Sequence, residues 1–283
     1  MVLQNMDKQF WKAIQENDCN IPKGYTVKSL TPELLSFLGS TDPELRDDLA
    51  YTILVEWVER DLYTPDDLRQ MIAGLSANLE IGIGEIGTDS VFLRAFSILA
   101  LALIVYYDNK KSFLNPEEIE AILDQGLQYL AAEKDPRGYV SVKGWAHALA
   151  HTADLLLVLA ENKNTSATEH IRILYETAQK LTNSTKWVYV HGEDDRLSAA
   201  VLTVFQRGLL DPPAVEEWLD SLKNLKSGSW KGAWTKEETT CAYFNVRNFL
   251  RSLYLQVVTE ADFPNQDVLE KMILDAIQGT KPH

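Results

Sequence analysis

Cysteine is nearly absent from these 283 residues: Cys19 and Cys241 are too few for a disulfide framework, and neither stands in the C-x-x-C spacing of a zinc site or thiol redox pair. Cations are scarce too. Lys and Arg number 27 against 41 Asp and Glu, a formal net charge of −14. That balance works against nucleic acid, whose affinity comes from cations neutralising phosphates, and against anionic membrane surfaces for the same reason. A long apolar run is missing: the longest, Ala95 to Tyr107, is broken by Ser97 and falls short of the ~20 residues of a membrane span. The opening MVLQNMDKQFWKAIQEN lacks the basic lead and apolar core of a secretory signal, so the cytoplasm is the expected compartment. The sequons at Asn164 and Asn183 are then expected to stay unmodified. Strand signals are confined to pieces as short as Trp187–Val190.

What is present is an apolar fraction of 46%, enough for a sizeable core, arranged at helical spacing between short polar breaks. Four expected helix starts carry a polar cap followed by proline: Thr31-Pro32, Thr64-Pro65, Asn115-Pro116 and Asp211-Pro212. Proline suits the first helical position because the N–H it lacks would be unsatisfied there anyway. Aligning alternate helices on an early basic residue places Arg46, Arg94, His147, Arg196 and Arg247 in one register, spaced by 48, 53, 49 and 51 positions. A beat near fifty with two helices per repeat predicts an all-α chain, residues 1–283 as one domain, built as an irregular HEAT/armadillo-like superhelix of five to six hairpins. The same helices also fit a closed (α/α)6 toroid.

The stretch Gly144–Leu156 reads as a helix carrying His147, His151 and Asp154 at i, i+4 and i+7, within about 60° of arc. Two histidines four apart and a carboxylate one turn on can ligate one divalent metal, with His191 and Asp194 of the following H-G-E-D-D-R segment completing the set. The alternative is an internal hydrogen-bonding ladder in which Arg196 or Arg94 closes an ion pair between repeats. The arginines carry a similar choice. Arg46, Arg94, Arg196, Arg247 and Arg251 can form a basic ladder for carboxylates or phosphates, or pair with nearby Asp47, Asp48, Asp89, Asp194 and Asp195, which suits so acidic a chain better.

Three loops complete the candidates. Arg137, Tyr139 and Lys143 precede the histidine stripe and can fold over it. Gly82, Gly84 and Gly87 spell G-x-G-x-x-G, but without the preceding strand of a dinucleotide site they read as a loose turn capped by Asp89. Trp230 and Trp234 read as anchors of a Gly/Ser-rich loop rather than a sugar platform.

The run DPRGYVSVKGWAHALAHTADLL, with DSVFLRAFSILALAL before it and HGEDDRL after it, resembles a bacterial family known as domain of unknown function 2785. The resemblance is carried by Arg137, Gly138, Gly144, Trp145, His147, His151, Asp154, His191, Glu193, Asp194 and Arg196. It implies a bacterial cytosolic all-α protein and brings no activity with it. Two functions are therefore expected. The first is a binding or scaffold protein whose groove, lined by Arg137, His147, His151, Asp154, His191, Asp194 and Arg196, holds a small anionic ligand or a peptide. The second is a metal-assisted or general acid–base hydrolase using His147, His151, Asp154 and His191.

Overall fold

The computed structural model describes residues 7–259 and 265–281. Helices α1 (Lys8–Glu16) and α2 (Val27–Ser36) lead into a π-helical stretch, Glu44–Tyr51, that runs directly into α3 (Thr52–Glu59). Then follow α4 (Pro65–Asn78), α5 (Ser90–Lys110), α6 (Pro116–Ala132), α7 (Ala148–Glu161), α8 (Ala167–Thr182), α9 (Glu193–Gln206), α10 (Pro212–Ser221), α11 (Glu237–Thr259) and α12 (Gln266–Gly279). Among the described residues sheet is limited to two hairpins of two-residue strands, β1 (Tyr139–Val140) with β2 (Gly144–Trp145) and β3 (Asn224–Leu225) with β4 (Gly228–Ser229). The all-α expectation is met among the described residues.

Three of the four proline starts are where the caps put them. Thr64, Asn115 and Asp211 each accept the N3 backbone N–H, from Asp67, Glu118 and Ala214, with proline at the first position. Thr31-Pro32 is different. Thr26 and Ser29 form a reciprocal capping box that starts α2 a turn and a half earlier, and the Thr31 hydroxyl instead bonds Val27 O and Tyr63 OH. Asp89 stands at the α5 N-terminus without capping it, because Lys143 Nζ takes both its oxygens at 2.7 and 2.8 Å.

Packing runs in two rows. Helices α5, α7, α9 and α11 lie side by side in chain order, with α3 against α5, while α6, α8, α10 and α12 pack in order behind them. Helix α5 is the centre of the core. It reaches 21 residues, and its most apolar window has a mean hydropathy of 1.9, long and apolar enough to cross a membrane. That corrects the sequence reading of this run as too short: the helix continues through Ser90–Arg94 at one end and Asp108–Lys110 at the other. Most of its apolar window is buried by neighbouring helices. Its buried Asp108 turns the chain at the exit, accepting from Phe113 N, Leu114 N and Asn162 Nδ2.

The β1–β2 hairpin turns through Ser141–Lys143 with Val142 at φ +70 and 87% exposed. A β-branched side chain in left-handed backbone costs about 1–2 kcal/mol, and almost nothing touches Val142 in return. Val142→Gly is accordingly expected to raise the thermal midpoint by the equivalent of ~0.5–1 kcal/mol, after glycine's own entropy cost. A lowered midpoint would mean that the Val142 side chain is held by favourable contacts.

Candidate functional site

The histidine segment is shaped by its neighbours before it is shaped by its own helix propensity. The β1–β2 ladder continues past the strands, with Ala146 N donating to Gly138 O at 2.8 Å and His147 N to Arg137 O at 3.2 Å. Helix α7 therefore begins at Ala148, not at Gly144 as the sequence suggested, and His147 is its left-handed N-cap at φ +51. Gly144 is required where it sits: at φ +76, a Cβ there would lie 2.8 Å from Pro43 Cβ and 3.2 Å from Arg46 Nη2. Gly138 likewise packs on the His191 ring, at 2.5–2.7 Å from where its Cβ would be.

Arg46, at 0% exposure, explains why that hairpin is pulled inward. Its guanidinium donates to Lys143 O, Trp145 O and Ser40 O at 2.9, 3.1 and 2.7 Å, and lies 4.3 and 4.8 Å from the Phe92 and Phe96 ring centroids. Arg94, also fully buried, makes a bidentate pair with Glu133 at 2.6 and 3.1 Å and reaches Ile81 O, Gly82 O and Ser90 Oγ. Neither arginine is available to a ligand, so the expected basic ladder loses its first two rungs. Arg247 bonds Tyr243 OH, and Arg251 is exposed.

The expected His/Asp set is brought together only in part. His147 stacks on Trp145 with ring centroids 4.2 Å apart, and its Nε2 faces His191 O at 3.1 Å, which assigns the proton to that nitrogen. His151 is buried edge-on to Phe96, its Nδ1 donating to Ala95 O at 3.0 Å. Burial pushes the His147 pKa down to about 4 and that of His151 to about 3, with Arg196 adding to both. Asp154 pairs with Arg196 Nη1 at 2.5 Å, the ion pair between repeats that the ladder alternative called for; burial nonetheless raises its pKa. It adds to the burial that raises the nearby Tyr51 phenol. Asp194 is half-buried, its pKa raised by burial and by Asp195.

Among the described residues no three His, Cys, Asp or Glu side chains form a group that could hold a metal ion. The ligand set His147, His151, Asp154 and His191 fails on particular contacts. His147 leaves the helical stripe by its left-handed backbone, His151 Nδ1 and His147 Nε2 face carbonyls, Asp154 faces Arg196, and His191 Nδ1 is buried without a partner against Gly138.

The opposite side of α7 is where space and charge coincide. A cavity of about 700 Å³ is walled by Leu149 and Thr152 of α7, the end of α6, the end of α8 and the 183–189 segment, and five cations, Lys134, Arg137, Lys180, Lys186 and Lys226, line it with three carboxylates, Glu133, Asp135 and Glu176. Its floor is fixed from the sequence upward. Glu133 ends α6 and accepts Arg94, Tyr129 OH, Lys134 N and Asp135 N, while Asp135 accepts Gly87 N and the Arg137 guanidinium. Arg137 Nη2 then reaches Thr88 O, fastening this loop onto the glycine-rich turn. Lys180 crosses to donate to Glu133 O at 2.7 Å, and burial takes its pKa down to about 8, against the pull of Glu133.

Of the candidate site residues named from sequence, only Arg137 lines this cavity. Lys180 was missed, though a signal existed: it lies seven positions after buried Ile173 and three after buried Thr177, on the inward stripe of α8. Trp230 is an anchor as expected, buried with Nε1 donating to Leu222 O, whereas Trp234 is half-exposed and edge-on to Tyr243 and Phe244. A second groove, about 540 Å³ between α4 and α6, is lined by Arg69, which Glu118 already occupies at 2.6 Å.

A family model described as "Protein of unknown function (DUF2785)" matches residues 79–255, well over half the chain and a span that includes every side chain of the cavity and the histidine segment. No curated protein and no solved structure matches the chain.

Proposed function

The chain belongs to the DUF2785 family, and on the geometry above we propose that it is a binding protein for a small anion, held in the cavity behind α7. One observation carries this. Within a chain of net charge −14, Lys134, Lys180 and Lys226 line one cavity and form no ion pair among the described residues, the cavity's carboxylates Glu133 and Asp135 being held by Arg94 and Arg137 and Glu176 standing beside them. Cations that make no direct ion pair keep their N–H donors free for a bound anion. Arg137, held by Asp135, and Lys186, paired at 3.4 Å with half-buried Glu238, border them, and Asn183, Ser184 and Thr185 offer neutral donors. Hydrolysis by the His/Asp set has less support, since those side chains are spent on carbonyls and on Arg196.

The scaffold we propose is one continuous domain, an open HEAT-like superhelix. Its support is the serial packing of α5, α7, α9 and α11 over α6, α8, α10 and α12, with extensive contacts confined to elements near one another along the array.

Titration calorimetry with L-lactate, pyruvate and inorganic phosphate at low salt tests the binding site. At least one is expected to bind, more weakly as salt rises, and the double variant Lys180→Met/Lys226→Met is expected to lose tenfold or more in affinity, each lost charge-assisted contact being worth about 1.5–3 kcal/mol. Failure of all three to bind, or equal binding by the variant, would overturn the proposal.

A further inference from the structure

We propose that Lys180 captures the carbonyl carbon of a small oxo acid as an imine, with the acid's carboxylate held by Lys134 and Lys226; this deepens, and rests on, the anion-binding proposal above. The placement of the amine comes first. Lys180 sits in the wall of the 700 Å³ cavity, and its Nζ has a single hydrogen-bond partner among the described residues, Glu133 O at 2.7 Å. A neutral amine satisfies that carbonyl with one N–H and keeps its lone pair for a ligand, whereas an ammonium would leave two N–H groups unmatched. Among the described residues no carboxylate forms an ion pair with Lys180: Glu133 is committed to Arg94 and Tyr129, Asp135 to Arg137, and Glu176, one turn earlier on α8, lines the cavity without pairing with it. Burial favours the neutral amine over the opposing pull of Glu133, the usual way a lysine becomes a nucleophile near neutral pH.

The rest of the cavity suits the same ligand. Lys134 and Lys226 supply charge for a carboxylate, while Ile86, Leu130 and Leu149 supply the apolar wall that favours loss of water. No competing thiol lines the cavity, both cysteines lying elsewhere. In the step itself the Lys180 nitrogen lone pair forms the N–C bond, the carbonyl π pair moves to oxygen, and a proton passes from nitrogen to that oxygen. The carbinolamine then takes a proton from solvent and loses water as N=C forms, and deprotonation restores the balance. Amine plus carbonyl becomes imine plus water, with nothing oxidised or reduced.

Sodium borohydride reduction of the full-length protein with pyruvate, read by intact mass and peptide mapping, tests the step. One adduct is expected, pyruvate plus two hydrogens less water, located on Lys180, suppressed by excess lactate and missing from folded Lys180→Arg protein. Pyruvate that binds by calorimetry yet leaves Lys180 unmodified on reduction, or modifies surface lysines indiscriminately, would overturn the imine alone. Binding of phosphate but not of pyruvate would likewise overturn the imine alone, whereas failure of lactate, pyruvate and phosphate alike to bind would overturn the anion site, and the imine with it.

Discussion

Arg94→Ala is expected to destabilise the protein by about 3–5 kcal/mol, because it strands a buried carboxylate. Glu133 is only 5% exposed and the Arg94 guanidinium is its one charged partner, bidentate at 2.6 and 3.1 Å. The same guanidinium satisfies Ile81 O, Gly82 O and Ser90 Oγ, so the loss also uncouples the glycine-rich turn from α5. Tyr129 OH, Lys134 N and Asp135 N still bond the Glu133 carboxylate in the variant, which limits the damage to that range rather than unfolding outright. Arg94→Lys keeps the charge but cannot span carboxylate and carbonyls together, and an intermediate loss of ~2 kcal/mol is expected. Urea unfolding at pH 7 measures both, the denaturant slope serving to separate lost stability from an altered unfolded state. An Arg94→Ala loss below about 1 kcal/mol would show that water reaches Glu133 and that this pair is no anchor of the cavity floor.

The residues of that network show what could be read from the chain and what could not. Caps at Thr64, Asn115 and Asp211 were legible because a cap and its proline act within four residues. The all-α class followed from the same local signals. The partner of Arg94 was not legible: Glu133 lies 39 residues away, whereas the sequence offered Asp89, which Lys143 takes instead. The start of α7 failed for a tertiary reason. Gly144 and Trp145 are drawn into a hairpin by Arg46, almost a hundred residues earlier, and this overrides helix propensity. Of the histidine stripe, His151 and Asp154 keep their places on α7, with Arg196 closing on Asp154, while His147 leaves it at the left-handed N-cap, and both imidazoles face carbonyls. Lys180 escaped notice because a single lysine on an amphipathic helix ordinarily snorkels to water, and only the α6–loop crossing above it makes it interior.

The histidine ladder carries the second large expectation: stability should fall steeply between pH 6.5 and 4. In the unfolded chain both imidazoles titrate near 6.5. In the fold burial holds His147 down to about 4 and His151 to about 3, so between those values and 6.5 the unfolded state binds protons that the folded state refuses. The slope of unfolding free energy with pH follows that difference, so the contribution is fully present above pH 6.5 and is lost as pH falls through each folded value. At pH 4 the pair should cost on the order of 5 kcal/mol relative to pH 7, one pKa unit being about 1.4 kcal/mol. The facing groups are Arg196 and Arg46, which repel an imidazolium, and the carbonyls of Ala95 and His191, which favour one without reversing the shift. Asp154 and Asp194 act with the opposite sign. Burial raises both carboxyls, so the fold binds their protons more readily than the unfolded chain and recovers part of the loss on the acid side. Urea midpoints followed from pH 7 to 4 in the parent and in His147→Gln/His151→Gln separate these contributions. The double variant is expected to be less stable at pH 7 but to lose markedly less between pH 6.5 and 4, and equal losses in the two proteins would place the acid sensitivity elsewhere than in the ladder.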